Sequence, residues 1–383
     1  MASFQKYKTK DGYKWLFKAR TTIDPKTGKK KQTTKRGFNT KKEAQMAAAE
    51  LEKKLYTGTF VEETNITFES FIPVFLKEYS IRAKVSSVRI REKESKILNK
   101  YLANIKLKDV TRLKYQTILN NLTEEGYAYN TMDGVHSTGR MLFKKAIELN
   151  LITHNPTEHT SLIKKIETVE ELEKKKKDIK YLEKEELADF LLTTKTKGLD
   201  NDYVFFTLLA YTGMRSGELL ALKWSDIDFR KLTISITKTM YNPSNNENYM
   251  LLTPKTKGSI REIKIDNFVV NLLKDHLLQQ RKIGDFEFVI SKEDGYPEVP
   301  HTPGRRMRRL LKLSFIEKNV TPHSLRHTHT SLLIEAGVGI KEIQQRLGHT
   351  DIETTMNIYA HMTKDMEEIA SQKFSDLMSS FMK

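Results

Sequence analysis

The chain of 383 residues contains no cysteine. This absence excludes disulfide bridges, a thiol nucleophile, and zinc or iron–sulfur sites with cysteine ligands. Long apolar runs are also absent: the longest, from Tyr203 to Tyr211, is far shorter than the roughly 20 residues of a membrane-spanning helix. Because the amino terminus has no apolar signal core, the sequence predicts a cytoplasmic protein that does not bind membranes.

Several common functional motifs are missing as well. The chain has no H-E-x-x-H, no G-x-x-x-x-G-K-[ST] loop and no EF-hand spacing, so the metalloprotease, ATPase and calcium-binding classes lose their main support. We therefore predict neither a metal nor another cofactor.

Positive charge is abundant but unevenly distributed. The formal net charge is +17, of which +11 lies in residues 1–60, +5 in residues 61–180 and only +1 in residues 181–383. A basic amino-terminal segment without an amphipathic membrane anchor is typical of a protein that binds nucleic acid. Since 38% of the residues are hydrophobic and 30% are charged, the chain is expected to be globular.

The amino-terminal segment has the period of β-strands. Tyr13, Trp15 and Phe17 share one face, which we expect to pack, while the lysines between them face outward. A turn at Asp24-Pro25 precedes a second basic strand, and Thr40-x-x-Glu43 has the spacing of a capping box before a helix. The candidate nucleic-acid contacts of this module are Lys14, Lys18, Lys29, Lys31 and Arg36.

The remaining patterns divide the chain further. An all-α region at 65–160, a charged linker at 161–180 and a mixed α/β region at 181–383 follow the first module at 1–60. The fold class is therefore multidomain and mainly α, with small antiparallel sheets. Predicted helices span about 87–102, 111–123, 129–149, 183–193, 202–212 and 216–223, and alternating segments lie at 231–240, 249–253 and 259–265.

Two short segments of residues 181–383 contain cationic side chains that are suited to binding a phosphate group. In Thr-Gly-Met-Arg215-Ser-Gly-Glu218, a glycine turn places Arg215 at a helix start, with Glu218 three residues later to orient it. In Lys255-Thr-Lys257-Gly, a turn between two strands carries lysines that can donate a proton to a leaving oxygen. Strand alternation would direct Lys255 and Lys257 the same way, so the choice between them stays open.

Histidines and a tyrosine complete the set. Thr321 and Pro322 are predicted as the N-cap and first residue of a helix that presents His323 and Arg326 on one face. Gly348 is predicted to end a helix directly before His349, and Tyr359 follows ten residues later. The next helix would be capped by Thr350-x-x-Glu353.

These side chains together suit attack of a tyrosine on a phosphodiester. Arginines would neutralise the pentacoordinate phosphorus, a lysine would protonate the departing oxygen, and a histidine would manage the proton of a phenol whose pKa is about 10. Such chemistry does not require a metal.

The motifs resemble those of the tyrosine recombinases of phage and conjugative-transposon integrase type. The matching strings span about 150 residues in the order that the family has. They are Thr-Gly-Met-Arg215-Ser-Gly-Glu-Leu-Leu, Lys255-Thr-Lys-Gly, His323-Ser-Leu-Arg326-His-Thr, Leu-Gly-His349 and Tyr359-Ala-His.

The resemblance implies a role for each residue. Arg215 and Arg326 would clamp the scissile phosphate, and His323 would transfer protons. His349 would donate a hydrogen bond to a phosphate oxygen, Lys255 would be the general acid to the 5′-hydroxyl, and Tyr359 would form a 3′-phosphotyrosyl intermediate.

The resemblance also implies an organisation and partners. Residues 1–60 would bind arm-site DNA, residues 65–160 would form a helical core-binding (SAM-like) domain, and residues 181–383 would form the catalytic domain with a carboxy-terminal tail helix. The partners would be double-stranded attachment or element-end DNA, three further copies in a homotetramer, a directionality factor and a host DNA-bending protein. Further phosphate contacts would come from Arg305, Arg306, Arg308 and Arg309.

The tail and the activity leave alternatives open. Met366, Ala370, Phe374, Leu377 and Phe381 form an apolar stripe that would pack either in its own protomer or on a neighbour. A type IB topoisomerase uses similar chemistry, but the basic amino-terminal module and Leu-Gly-His349 favour a recombinase. The scaffold would also suit a non-catalytic DNA-binding regulator, although the complete set of catalytic side chains counts against it.

Overall fold

The computed structural model describes residues 2–9, 12–23, 30–56, 65–164, 168, 181–246, 248–254, 257–348, 375 and 378–379. Its contacts divide the chain into two compact units, Met1–Ile166 and Glu167–Lys383. The predicted fold class, mainly α with small antiparallel sheets, is confirmed. None of the helices in the described ranges is long and apolar enough to cross a membrane.

The first unit begins with an antiparallel sheet and one helix. The strand order is β1-β2-β3, and the helix α1 packs its alanines on Phe17 and Ala19. Tyr13 does not pack as predicted: it is 61% exposed near the strand end, with Lys6 Nζ 4.8 Å above its ring. The elements are β1 (Ser3–Thr9), β2 (Gly12–Ile23), β3 (Lys30–Phe38) and α1 (Lys41–Tyr56).

The start of α1 differs slightly from a full capping box. Thr40 Oγ1 accepts a hydrogen bond from Glu43 N at 3.1 Å, as the spacing predicts. The Glu43 carboxylate instead accepts from Asn39 N at 2.9 Å, one residue before the position that the motif requires.

In the described residues 65–164 of the first unit, four helices with their own core follow. Phe68, Phe71 and Phe75 are buried on one face of the first of these helices, because residues three and four apart share a face. A 3₁₀ turn at Leu107–Asp109 joins the second and third. The helices are α2 (Phe68–Ser80), α3 (Val85–Leu102), α4 (Arg112–Glu124) and α5 (Tyr129–Glu148).

The second unit packs helices around two small antiparallel sheets, β4-β5-β8 and β6-β7. Its strands are β4 (Ile227–Asp228), β5 (Thr233–Ile236), β6 (Thr239–Tyr241), β7 (Met250–Leu252) and β8 (Arg261–Lys264). Its helices are α6 (Lys184–Lys197), α7 (Asp202–Thr212), α8 (Ser216–Leu220), α9 (Asn267–Ile283), α10 (Thr302–Leu313), α11 (Ser324–Glu335) and α12 (Ile340–Leu347).

Two predicted elements of this unit are wrong in extent. The alternating segment 231–240 is two strands of different sheets, β5 and β6, and Lys238 between them binds both carboxylate oxygens of Asp226 at 2.6 Å. The helix predicted at 216–223 ends at Leu220. Leu222 and Trp224 lie beyond it and exchange backbone hydrogen bonds with residues 287–289 instead.

Candidate active site

Arg215 lies where the sequence analysis placed it, at the N-cap of α8. The preceding helix α7 ends at Gly213, whose φ of +63° is left-handed. A Cβ at Gly213 would lie 2.5 Å from Cδ2 of His329, so only glycine fits this turn. The Arg215 side chain is 37% exposed, and its guanidinium donates to Glu218 Oε1 at 2.9 Å.

Arg326 is the most deeply buried cation of the site, at 1% exposure. It donates from one terminal nitrogen to Gly213 O and from the other to Leu347 O, each at 2.7 Å. Its guanidinium therefore joins the end of α7, close to Arg215, to the end of α12. Burial and the nearby charge of Arg215 lower the pKa of Arg326 to about 9, so it stays positively charged at neutral pH.

His323 lies at the amino-terminal end of the same helix as Arg326, but that helix does not begin as predicted. Helix α11 starts at Ser324, with His323 and not Thr321 at the N-cap. Thr321 and Ser324 instead close a turn, in which Thr321 N donates to the Ser324 hydroxyl at 3.0 Å and Ser324 N donates to Thr321 O at 2.8 Å.

The surroundings of His323 favour its neutral form. Its ring meets the ring of His327 edge to face, with centroids 5.3 Å apart. Burial, followed by the charges of His327, Arg326 and Arg215, lowers the pKa of His323 to about 4. A neutral imidazole at physiological pH can accept a proton from a substrate or a nucleophile.

Glu218 binds a second arginine that the sequence analysis did not single out. Glu218 is 3% exposed, and Arg261 on β8 donates to its two oxygens at 2.9 and 3.3 Å. Burial alone would raise the pKa of Glu218, but the bonds and charges of Arg261 and Arg215 hold it below its ordinary value. The sequence pattern around Arg261 is that of an ordinary charged residue in a strand, and nothing in it indicates the contact with Glu218.

Three of the predicted catalytic residues lie outside the described residues: Lys255, His349 and Tyr359. The same is true of the side chain of Lys257, the Thr350–Glu353 cap and the five residues of the apolar tail stripe. The described chain reaches Gly348, directly before His349. Gly348 ends α12 with a left-handed φ of +65°, as predicted. The roles of these three residues stay predictions.

Three of the five candidate DNA contacts of the amino-terminal module, Lys14, Lys18 and Arg36, share one surface. Lys14, Leu16 and Lys18 alternate along β2 on the face opposite α1, and Arg36 pairs with Leu16 across β2 and β3. Arg36 is exposed, and Lys14 and Lys18 are partly exposed. Lys29 and the side chain of Lys31 lie outside the described residues.

The four arginines of α10 do not share one environment. Arg306 binds Asp202 at 3.1 Å, and Arg309 lies 3.8 Å from the same carboxylate, so both help to hold α10 against the start of α7. Arg305, Arg308 and Arg309 are exposed. In the described part of the chain, no cluster of three or more His, Cys, Asp or Glu side chains is placed to hold a metal ion.

The sequence of the chain matches a known family of proteins. The profile of the phage integrase family matches residues 180–366, and that of the arm DNA-binding domain matches residues 4–55. The integrase of Staphylococcus phage L54a is 31% identical over 358 residues, which are 86% of this chain and 98% of that protein. The chain belongs to the phage integrase family, and the predicted resemblance is confirmed.

Further relatives and solved structures are similar to this chain over most of its length. The ICEBs1 integrase of Bacillus subtilis strain 168 is 26% identical over 93% of this chain and 95% of its own. The Tn1549 transposon integrase, solved with transposon right-end DNA, has the same fold, with a TM-score of 0.66 at 23% identity over 81% of this chain and all of that one. Lambda integrase, solved as a dimer on a core site, matches with a TM-score of 0.56 at 20% identity, covering 92% and 93%.

Proposed function

We propose that this protein is a site-specific DNA recombinase, the integrase and excisionase of a phage or conjugative element. The observation that carries the proposal is the convergence of Arg215 with His323 and Arg326, which come from two segments about 110 residues apart, so that two charged guanidiniums lie beside one neutral imidazole. Two cations and a proton acceptor are what transfer of a phosphodiester to a hydroxyl nucleophile requires.

The reaction would proceed through a covalent intermediate. The Tyr359 oxygen attacks the scissile phosphorus, its proton passes to His323, and the bond to the 5′-oxygen breaks as Lys255 supplies a proton. Arg215 and Arg326 neutralise the charge on the phosphate, and His349 donates a hydrogen bond to one of its oxygens. A 5′-hydroxyl of the partner strand then attacks the phosphotyrosyl phosphorus, its proton passes to Lys255, and the bond to Tyr359 breaks as His323 returns the proton to the tyrosine oxygen. This exchange occurs first at one strand pair and then, through a Holliday junction, at the other.

This chemistry would need neither ATP nor a metal. The phosphotyrosyl bond replaces a phosphodiester of similar energy, so resealing requires no external source. The charge that a divalent cation supplies in other phosphoryl transferases comes here from the two guanidiniums.

The domain roles follow the same proposal. Residues 1–60 would bind arm-site DNA through the face of β2 and β3 that carries Lys14, Lys18 and Arg36. Residues 65–160 would bind the core site and residues 181–383 would cut it, joined by the linker at 161–180. On α10 we retain the exposed Arg305, Arg308 and Arg309 as phosphate contacts, because Arg306 is engaged with Asp202 and Glu298.

The proposed partners extend to assembly. Lambda integrase has been solved as a tetramer on a Holliday junction, and we propose the same assembly for this chain on attachment or element-end DNA. A directionality factor and a host DNA-bending protein would set the balance between integration and excision. Since its substrates are the bacterial chromosome and the element, the protein would act in the cytoplasm.

A nicked suicide substrate that carries an end of the element tests this function. The wild type should form a protein–DNA adduct that resists denaturation, and Tyr359→Phe should abolish the adduct while DNA binding persists. Tyr296→Phe, which changes a half-exposed tyrosine of the same unit, should leave the adduct unchanged. An adduct with Tyr359→Phe would overturn the nucleophile, and relaxation of plasmids that lack the site, without strand exchange, would instead indicate a topoisomerase.

A further inference from the structure

Arg261 makes contacts that extend well beyond its own strand. Its side chain is only 6% exposed, although it begins β8, a strand in which Glu262 and Lys264 are exposed. Besides its two bonds to Glu218, its Nε donates to Arg346 O at 2.8 Å and one terminal nitrogen donates to Ser259 O at 3.1 Å. One guanidinium thus joins three segments: the start of α8 and the end of α12, both distant in sequence, and the turn just before Arg261 itself.

The first of these segments carries Arg215. Both oxygens of Glu218 accept from Arg215, one from its guanidinium at 2.9 Å and the other from its backbone N at 2.8 Å. Each oxygen also accepts from Arg261. Because the Glu218 carboxylate is shared between the two arginines, its position, and with it that of the Arg215 guanidinium, depends on Arg261.

The second segment is the end of α12. Its last two carbonyls, those of Arg346 and Leu347, accept from the guanidiniums of Arg261 and Arg326. Cations at the carboxy-terminal end of a helix are stabilising, since they meet unpaired carbonyls and the negative end of the helix dipole. Gly348 follows these two bonded carbonyls in the chain, and His349 follows Gly348.

The third segment is the turn that follows Lys255 and Lys257. Gly348 packs directly against it: a Cβ at Gly348 would lie 2.9 Å from Gly258 O, 3.1 Å from Arg261 Cδ and 3.2 Å from Ser259 Cα. The bond from Arg261 to Ser259 O holds the same turn from the other side.

We propose that Arg261 is a positioning residue. It fixes the relative positions of three parts of the site: Arg215, the end of α12 directly before His349, and the turn that follows Lys255. The inference rests on the proposed function. Catalysis by placed charges depends on geometry, and a displacement of about 1 Å can reduce a rate about 100-fold. Arg261 touches no reacting atom in this scheme, so its effect would appear in the cleavage rate and not in DNA affinity.

Lysine is the informative replacement at this position. Arg261→Lys retains a positive charge near Glu218 but cannot donate from a planar fork to the carboxylate while a third nitrogen reaches Arg346 O. Lys318→Gln is the matched control, because it removes ion pairs to Glu183 and Glu186 in the same unit, at 3.3 and 2.7 Å. If Arg261→Lys does not fold, Arg261→Gln takes its place in the same assay.

The experiment measures single-turnover adduct formation on the suicide substrate, DNA affinity and melting temperature for each full-length variant. We expect Arg261→Lys to bind DNA within about threefold of the wild type and to cleave about 100-fold more slowly. Lys318→Gln should cleave like the wild type. In an Arg215→Lys background, the added effect of Arg261→Lys should shrink at least tenfold, because the two residues act through one carboxylate.

The outcomes separate the two proposals. A wild type that forms no adduct refutes the recombinase function itself. A wild type that forms the adduct, with Arg261→Lys equally fast or with the two arginine defects multiplying independently, overturns the positioning role of Arg261 and leaves the recombinase function intact.

Discussion

The buried carboxylate of Glu218 should be among the largest single contributors to the stability of the second unit. It accepts four hydrogen bonds, two each from Arg215 and Arg261, at 2.8 to 3.3 Å. Glu218→Gln keeps the shape, removes the negative charge and turns at least one N–H toward these donors. The Arg261 guanidinium, 6% exposed, is then buried beside an uncharged amide.

The expected loss of unfolding free energy in Glu218→Gln follows from the burial of the ion pair between Glu218 and Arg261. Removal of one partner from a buried ion pair costs about 3–5 kcal/mol, because the remaining charge is left uncompensated. For a unit of this size, that loss corresponds to a decrease in melting temperature of roughly 6 to 20 °C. Arg215 contributes little to this estimate, since its side chain is 37% exposed and water replaces the lost bond.

Urea unfolding and thermal melting of the full chain measure this effect. Glu287→Gln is the control: Glu287 binds Lys223 at 2.6 Å but is 63% exposed, so its loss should cost at most about 1 kcal/mol. If the two variants lose similar stability, or if Glu218→Gln stays within about 1 kcal/mol of the wild type, the reasoning from burial is refuted.

The pH dependence gives an independent check. Arg261 and Arg215 hold the pKa of Glu218 below its ordinary value against the opposing effect of burial. The stabilisation is therefore complete above the pKa of an unfolded glutamate, about 4.3, and is lost as the pH falls toward the lower folded pKa. The difference in stability between wild type and Glu218→Gln should narrow as the pH falls below that value.

Two further predictions concern the corner at the end of α12 and a histidine behind it. Gly348→Ala should lower stability by about 1–2 kcal/mol or more, because φ is +65° and the new Cβ would meet Gly258 O at 2.9 Å; it should also slow cleavage, and unchanged stability in urea would contradict the left-handed turn. Burial and Arg346 lower the pKa of His329 to about 4, so this histidine should make unfolding easier as the pH falls below about 6.5, by up to about 1.4 kcal/mol per pH unit, in addition to the similar contribution of His323. His329→Gln should flatten that slope in urea titrations between pH 6.5 and 5, and a variant with the wild-type slope would contradict the assignment.

Local patterns predicted much of the site. Gly213 and Gly348 end their helices as the sequence indicated, because a left-handed residue after a helix is a local requirement that glycine meets best. The helical periods at 87–102, 111–123 and 202–212 agree with the observed bounds to within two residues. The start of α11 was missed because the Thr321–Ser324 turn uses the same residue types as a helix cap.

Single residues whose partners are distant in sequence were not predictable in this way. On α10, Arg306 has the exposed, basic context of a DNA contact, yet Asp202, 104 residues earlier, binds it. A charge pattern shows where cations are placed along a helix, but only packing shows which of them already has a counter-charge.

The sequence by itself determined the class of this protein, since its ordered set of Arg, Lys, His and Tyr motifs and its helix stops are local features of the chain. The tertiary structure decided how the charges are held: Arg326 reaches Gly213 across 113 residues and Arg261 reaches Glu218 across 43. Such hydrogen bonds depend on the positions of donor and acceptor atoms to within a few tenths of an ångström. These positions are set by the packing of whole helices and strands and not by any local period of the sequence.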